Sequence, residues 1–216
     1  MQPKGRKLPK GQTKLQFVRL EPEKTAPVAS RLPSASGQVF QNALESLKRV
    51  FGHTHLKPHQ ETSLRAYIAS RDVLVVQPTG SGKSLCYQLP GLAHDNGLVL
   101  VISPLIALMQ NQISALKQKN IAAELLCSSI RANDRSRIIA DINSASPKTR
   151  LLYLSPEALV GTRSGAVHGS CTAIRKAVTG LARRQKLLLV AVDEAHCMSA
   201  SNLVIVMVTL AGFRCK

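Results

Sequence analysis

From Gln38 onward, apolar residues recur every three or four positions. Val39, Phe40, Ala43, Leu44, Leu47, Val50 and Phe51 fall on one stripe, which predicts an amphipathic helix ending near Gly52. A second helix is predicted after Pro58, with Leu64, Tyr67 and Ile68 facing inward. The pattern then changes to short apolar runs. Asp72-Val-Leu-Val-Val76, Leu98-Val-Leu-Val-Ile102 and Leu187-Leu-Leu-Val-Ala-Val192 read as strands, with shorter candidates at Ala122 to Cys127 and Leu151 to Leu154. A helix is predicted over Leu105 to Lys119. Strands apolar on both faces, with helical segments between them, imply a parallel sheet covered on each side. Gly161 to Gln185 is weakly patterned, and a surface helix around Ile174 to Ala182, preceded by a mobile loop, is expected there. The last apolar run, Leu203 to Leu210, has two readings: an added edge strand, or an exposed aggregation-prone segment, the second being expected.

The first 36 residues differ in kind. They carry eight basic residues against Glu21 and Glu23, and five prolines break any helix, so a disordered basic tail is expected over 1–36. Residues 37–198 then form one α/β domain, and 199–216 form a divergent C-terminal tail. The whole chain has 216 residues, with 29 Lys and Arg against 12 Asp and Glu, a formal charge of +17. That excess suits a polyanionic partner, nucleic acid above all. Aromatics are 3% with no Trp, which argues against a surface of base-stacking rings. The five cysteines stand singly without a CxxC pair, pointing to a reduced compartment and no visible zinc site. No membrane span is expected, since the longest apolar run is far below bilayer length.

Two motifs carry chemistry. Gln77-Pro-Thr-Gly-Ser-Gly-Lys-Ser84 follows a buried-type strand and opens a helix, the context of a P-loop. Gly80 and Gly82 would let backbone N–H groups turn toward phosphate oxygens, with Thr79 and Ser81 between and beside them. Lys83 would reach the β- and γ-phosphates of ATP, and Ser84 would ligate Mg²⁺. Gln77 replaces the first glycine of the general pattern. Asp193-Glu-Ala-His196 ends the last clear strand, at the edge where open parallel sheets place ligands. Asp193 would hold Mg²⁺, Glu194 would orient and deprotonate the attacking water, and His196 completes the catalytic candidates. His53, His55 and His59 cluster without a supporting carboxylate or cysteine, so surface or pocket-lining roles are expected rather than a metal site.

Leu85-Cys-Tyr-Gln-Leu-Pro90, Ile102-Ser-Pro-Leu-Ile-Ala-Leu-Met109, Leu151-Leu-Tyr-Leu-Ser-Pro-Glu157 and Asp193-Glu-Ala-His-Cys197 together make the chain resemble the RecQ family of DNA helicases over roughly Val39 to Met198. The resemblance implies a RecA-like P-loop NTPase lobe, incomplete at its C-terminus, in an ATP-dependent 3′-to-5′ helicase. It implies a nuclear protein acting on single-stranded or forked DNA. It assigns Gln60 to the adenine edge, Lys57 to its support, and His53 to the place of an adenine-stacking aromatic. Ser103 and Pro104 match one segment that contacts the single-stranded backbone; Ser155, Pro156 and Glu157 match another. After Cys197 the resemblance stops, and the family's aromatic-rich loop and second lobe are not seen. The polypeptide is therefore expected to bind ATP weakly and not to unwind DNA alone. Two other readings stay open: a non-catalytic isoform that binds ATP or DNA, and another DEAH-box ATPase acting on RNA.

Overall fold

The computed structural model describes residues 34–127, 129–160, 168–194 and 204–209. Their elements run α1 (Ser34–Phe51), α2 (Pro58–Ile68), β1 (Val73–Val76), α3 (Leu85–Leu92), β2 (Leu98–Ile102), α4 (Ile106–Gln118), β3 (Ala123–Leu126) and α5 (Ala132–Asn143). Then come β4 (Leu151–Leu154), α6 (Pro156–Val160), α7 (His168–Arg183), β5 (Leu187–Val192) and β6 (Val204–Thr209). The first helix begins at Ser34, ahead of the start its apolar period predicts. It ends at Gly52, whose φ of +70° supplies the left-handed residue that closes a helix.

One six-stranded sheet is built in the order β1-β6-β5-β2-β4-β3. The pairs β5–β2, β2–β4 and β4–β3 are parallel, as the apolar runs predict. Side chains alternate between two cores, as the pleat requires. Val99, Val101, Leu151, Tyr153, Leu189 and Ala191 face α3 and α4, packing with Cys86, Tyr87, Met109, Ile113 and Leu116. Leu98, Leu100, Leu152, Leu154 and Leu187 face the opposite layer, packing with Ile138 and Ile142 of α5, Ala158 of α6, and Ile174, Ala177 and Leu181 of α7. A third cluster joins α1, α2 and α3 through Ala43, Leu47, Leu64, Leu85 and Leu89. No helix of the described residues is long and apolar enough to cross a membrane.

Two sequence expectations need correction. The final apolar run is neither an edge strand nor an exposed segment: β6 lies between β1 and β5, antiparallel to both, with Met207 at 0% exposure. Only residues 193–203 separate β5 from β6. A parallel neighbour needs a crossover of about a dozen residues or more, usually helical, whereas an antiparallel return needs far less. The reversed direction follows from the short link. The helix expected around Ile174 to Ala182 also differs. It starts at His168 and buries a full face, so six residues of the expected loop are helical; residues 161–167 of that loop lie outside the described residues. Most of the basic tail and of the C-terminal tail, along with Ala195 to Cys197, lies outside them too.

Because β2, β4 and β5 run parallel and β1 runs in the same sense as β5, four strand ends open onto one edge. Gln77 follows β1, Asp193 follows β5, Ser103 follows β2 and Ser155 follows β4. The P-loop, the acidic motif and both Ser-Pro turns emerge there.

Candidate active site

Eight residues, Gln77 to Ser84, link β1 to α3. Gly80 and Gly82 hold φ of +77° and +87°, backbone that side-chain-bearing residues rarely adopt. A Cβ on Gly82 would also stand 2.7 Å from Gln60 Nε2. Gly82→Ala is therefore expected to displace Gln60 and strain the loop by about 1–3 kcal/mol. The expected readout is roughly ten-fold weaker nucleotide binding by fluorescence titration; an unchanged affinity would show that the loop tolerates other geometry.

Lys83 is buried at 6% exposure, and its Nζ donates to the carbonyls of Gln77 (2.9 Å) and Pro78 (2.8 Å). An ammonium in such a place must be paired, and here the loop's own backbone does it. Ser81 Oγ is buried without a hydrogen-bond partner, an orphaned donor within the loop. Phosphate oxygens would satisfy it, so the loop fits a nucleotide.

Gln60 sits at the third position of α2, where Pro58 opens the helix, and is 3% exposed. Its Oε1 accepts from the Lys57 backbone N–H (2.9 Å), closing one side of a helix-capping arrangement. Its Nε2 donates to the Gly82 carbonyl (2.9 Å), while Lys57 Nζ donates to the Ser81 carbonyl (2.9 Å). The residues matched to adenine recognition are thus fastened to the phosphate loop itself. His53 is exposed, while His59 is half-buried with its ring pushed toward the neutral form by burial and by the Lys57 and Lys83 charges. His59 Nε2 has no hydrogen-bond partner.

Asp193 is 4% exposed and Glu194 7%. Asp193 Oδ1 accepts from the Glu194 N–H (3.0 Å), and its own N–H donates to the Ile102 carbonyl (2.8 Å). Glu194 holds φ of +58°, a left-handed non-glycine residue of the kind that concentrates at functional turns. Asp193 Oδ2 faces the Tyr87 hydroxyl at 3.1 Å and Gln112 Nε2 at 3.4 Å. Tyr87 is fully buried, which drives its hydroxyl well above the usual phenol range; Tyr153 and Asp193 push the same way, and Ser84 works against them. Both oxygen donors proposed for Mg²⁺, Ser84 and Asp193, therefore act on one phenol from opposite motifs. Mg²⁺ is commonly held by one or two protein oxygens plus phosphates and water, and this pair fits that habit.

Thr79 and Gly80 are exposed at the tip of the loop. Ser103 is buried at 1%, its Oγ accepting from the Leu105 N–H (3.4 Å), and Pro104 is exposed beside it. Ser155 is buried at 2%, its carbonyl accepting from the Ala158 N–H (3.0 Å) at the start of α6, with Glu157 exposed. These two turns follow adjacent strands, on the far side of β5 from the P-loop. His196 lies outside the described residues. Sequence reasoning missed Tyr87 and Gln112 as site residues. Tyr87 was visible only as one letter of a family motif, and Gln112 as one of several polar residues on a helix; nothing in spacing joins positions 25 and 81 residues apart.

The profile of the DEAD/DEAH box helicase family matches residues 57–210. The chain is 37% identical over 160 residues to the ATP-dependent DNA helicase RecQ of Synechocystis, covering 73% of this chain and 30% of that protein. It is 39% identical over 157 residues to the RecQ helicase of Haemophilus influenzae, covering 73% and 23%. Against the ATP-dependent DNA helicase Q5 of Mus musculus it is 37% identical over 156 residues, covering 71% and 15%. The chain thus spans less than a third of the length of these relatives. The P-loop, the acidic strand end and the sheet that joins them lie within the matched stretch: this chain belongs to the DEAD/DEAH box helicases, in their RecQ family.

Proposed function

We propose that this chain is the ATP-binding lobe of a RecQ-type DNA helicase, turning over ATP to drive 3′-to-5′ movement on DNA. The observation that carries the reading is the burial of Lys83, Gln60, Asp193 and Glu194 at the same edge of the sheet, with Gln60 and Lys83 bonded to the P-loop backbone and Asp193 to Tyr87. Lys83 would exchange its two loop carbonyls for phosphate oxygens. Gln60 keeps one lone pair and one N–H beyond its present bonds. An adenine edge asks for that combination, with N6–H to give and N7 to receive. Ser84 and Asp193 would hold Mg²⁺, which supplies charge neutralisation on the phosphates when bound. Glu194 would take the proton of the attacking water.

The turns at Ser103–Pro104 and Ser155–Glu157 would receive the DNA backbone. Each turn leads directly into a helix, α4 or α6, and helix starts suit phosphate contact without sequence readout. The net charge of +17 supports the same partner. The location proposed with this reading is the nucleus of a eukaryotic cell.

The test is a displacement titration of a fluorescent ATP analogue in Mg²⁺. ATP is expected to compete at least ten-fold better than GTP, because the wrong purine edge leaves Gln60 unpaired. Equal competition removes Gln60 from its role, and absence of binding removes the reading.

A further inference from the structure

The Tyr87 hydroxyl has one proton and two acceptors in reach: Gln112 Oε1 at 2.8 Å and Asp193 Oδ2 at 3.1 Å. Gln112 Nε2 approaches the same carboxylate oxygen at 3.4 Å. Three segments meet in this triangle. Tyr87 stands on α3, the helix opened by the P-loop; Gln112 stands on α4, the helix opened by the Ser103–Pro104 turn; Asp193 ends β5. The phenol is fully buried and Asp193 nearly so, so bulk water cannot stand in for a missing partner.

The proton has two arrangements. Directed at Gln112 it leaves Oδ2 with the amide alone; directed at Asp193 it leaves Gln112 Oε1 without a donor from the phenol. Which holds depends on where α4 places the Gln112 amide. We propose that Tyr87 and Gln112 are positioning residues for Asp193, and that this triangle couples strand engagement at the start of α4 to nucleotide binding. The proposal rests on the active-site reading above. Asp193, when holding a cation, would have fewer lone pairs for the phenol, which would then turn to Gln112. An oligonucleotide seated on the Ser103–Pro104 turn fixes the helix that carries Gln112. Each ligand thereby biases one two-state element, which is what thermodynamic coupling between sites requires.

The experiment uses the full 216-residue chain and a fluorescein-labelled oligo(dT). Its affinity is measured with and without Mg²⁺ and a non-hydrolysable ATP analogue, and nucleotide affinity is measured with and without oligo(dT). The wild-type chain is expected to show one reciprocal factor in both, in the range of about 5 to 150. Tyr87→Phe removes only the hydroxyl, and Gln112→Leu removes only the amide at similar size. Each is expected to bring the factor to within about two-fold of one. Gln110→Ala, exposed on the same helix, is expected to keep the wild-type factor. A merely structural role for the triangle would change single affinities or melting temperature and leave the ratio alone. If both ligands bind and the wild-type factor is one, or both variants keep it, the coupling is overturned while the active site stands. If the wild-type chain binds no nucleotide, the active-site reading falls and the coupling with it.

Discussion

Replacing Lys83 by alanine is expected to remove nearly all the thermal stabilisation that Mg·ATP confers on this chain. A ligand present at about a hundred times its dissociation constant adds roughly 2.7 kcal/mol to a fold it binds selectively. For a domain of this size that is worth about 5 to 10 °C in melting temperature. Among the described residues, Lys83 is the only side chain bonded to the carbonyls of Gln77 and Pro78, and its ammonium is the charge nearest in sequence to Gly80 and Gly82. Without it the phosphate cradle keeps its N–H groups and loses its point charge. The variant also takes the ammonium from the Gln77 carbonyl, while the Pro78 carbonyl keeps the Ser81 N–H, so the ligand-free protein is expected to lose about 1 to 2 kcal/mol of its own. Differential scanning with and without nucleotide separates the two effects. A ligand-induced shift as large in Lys83→Ala as in the wild type would place the nucleotide elsewhere.

The second large effect concerns β6. Met207 is fully buried and pairs with Val73 on one side and Ala191 on the other. Met207→Asp places a carboxylate among Val73, Val75, Val101 and Ala191 with no cation described in that cluster. The penalty for an unpaired buried charge is several kcal/mol, comparable with the roughly 5 to 15 kcal/mol that holds a whole domain together. The variant is expected to be largely unfolded in buffer. Met207→Ala is expected to lose about 2 to 5 kcal/mol, and Met207→Leu less than about 1.5. Urea unfolding followed by circular dichroism measures all three. Loss of under about 0.5 kcal/mol for Met207→Asp would return this run to the surface.

The contrast between these two sites shows what a sequence makes legible. The setting of Lys83 is readable because it is local: a strand, a glycine turn and a helix start lie within a dozen positions. The parallel core is readable for a similar reason, since Leu98–Ile102 and Leu187–Val192 are apolar at every position and must be covered on both faces. Met207 is different. A short apolar run such as Leu203 to Leu210 has the same pattern whether it caps an edge, sits exposed or fills the centre, and only the gap between β1 and β5 decides. Helix α5 was missed because Asn133, Asp134, Arg135, Ser136 and Arg137 dominate its start, leaving Ile138 and Ile142 as its sole fully buried apolar positions. The Tyr87–Gln112–Asp193 triangle was missed because each member reads as ordinary in its own helix or strand.

The reversed strand has a consequence for the order in which this molecule can assemble. β1 and β5 make no ladder with each other; each is hydrogen-bonded to β6 instead. Val73 finds its partner only at Met207, so the loop closed by that pairing encloses nearly the whole described fold. Pairings of such sequence separation are slow to form, since the entropy of closure is lost before the contacts repay it. During synthesis the parallel strands β2, β4 and β3 can associate as soon as residue 154 has emerged. The P-loop strand must wait, its edge bare, until residue 209 is made. The glycine loop after β1 and the acidic end of β5 would come into register last, when a single late strand joins β1 to the rest of the sheet.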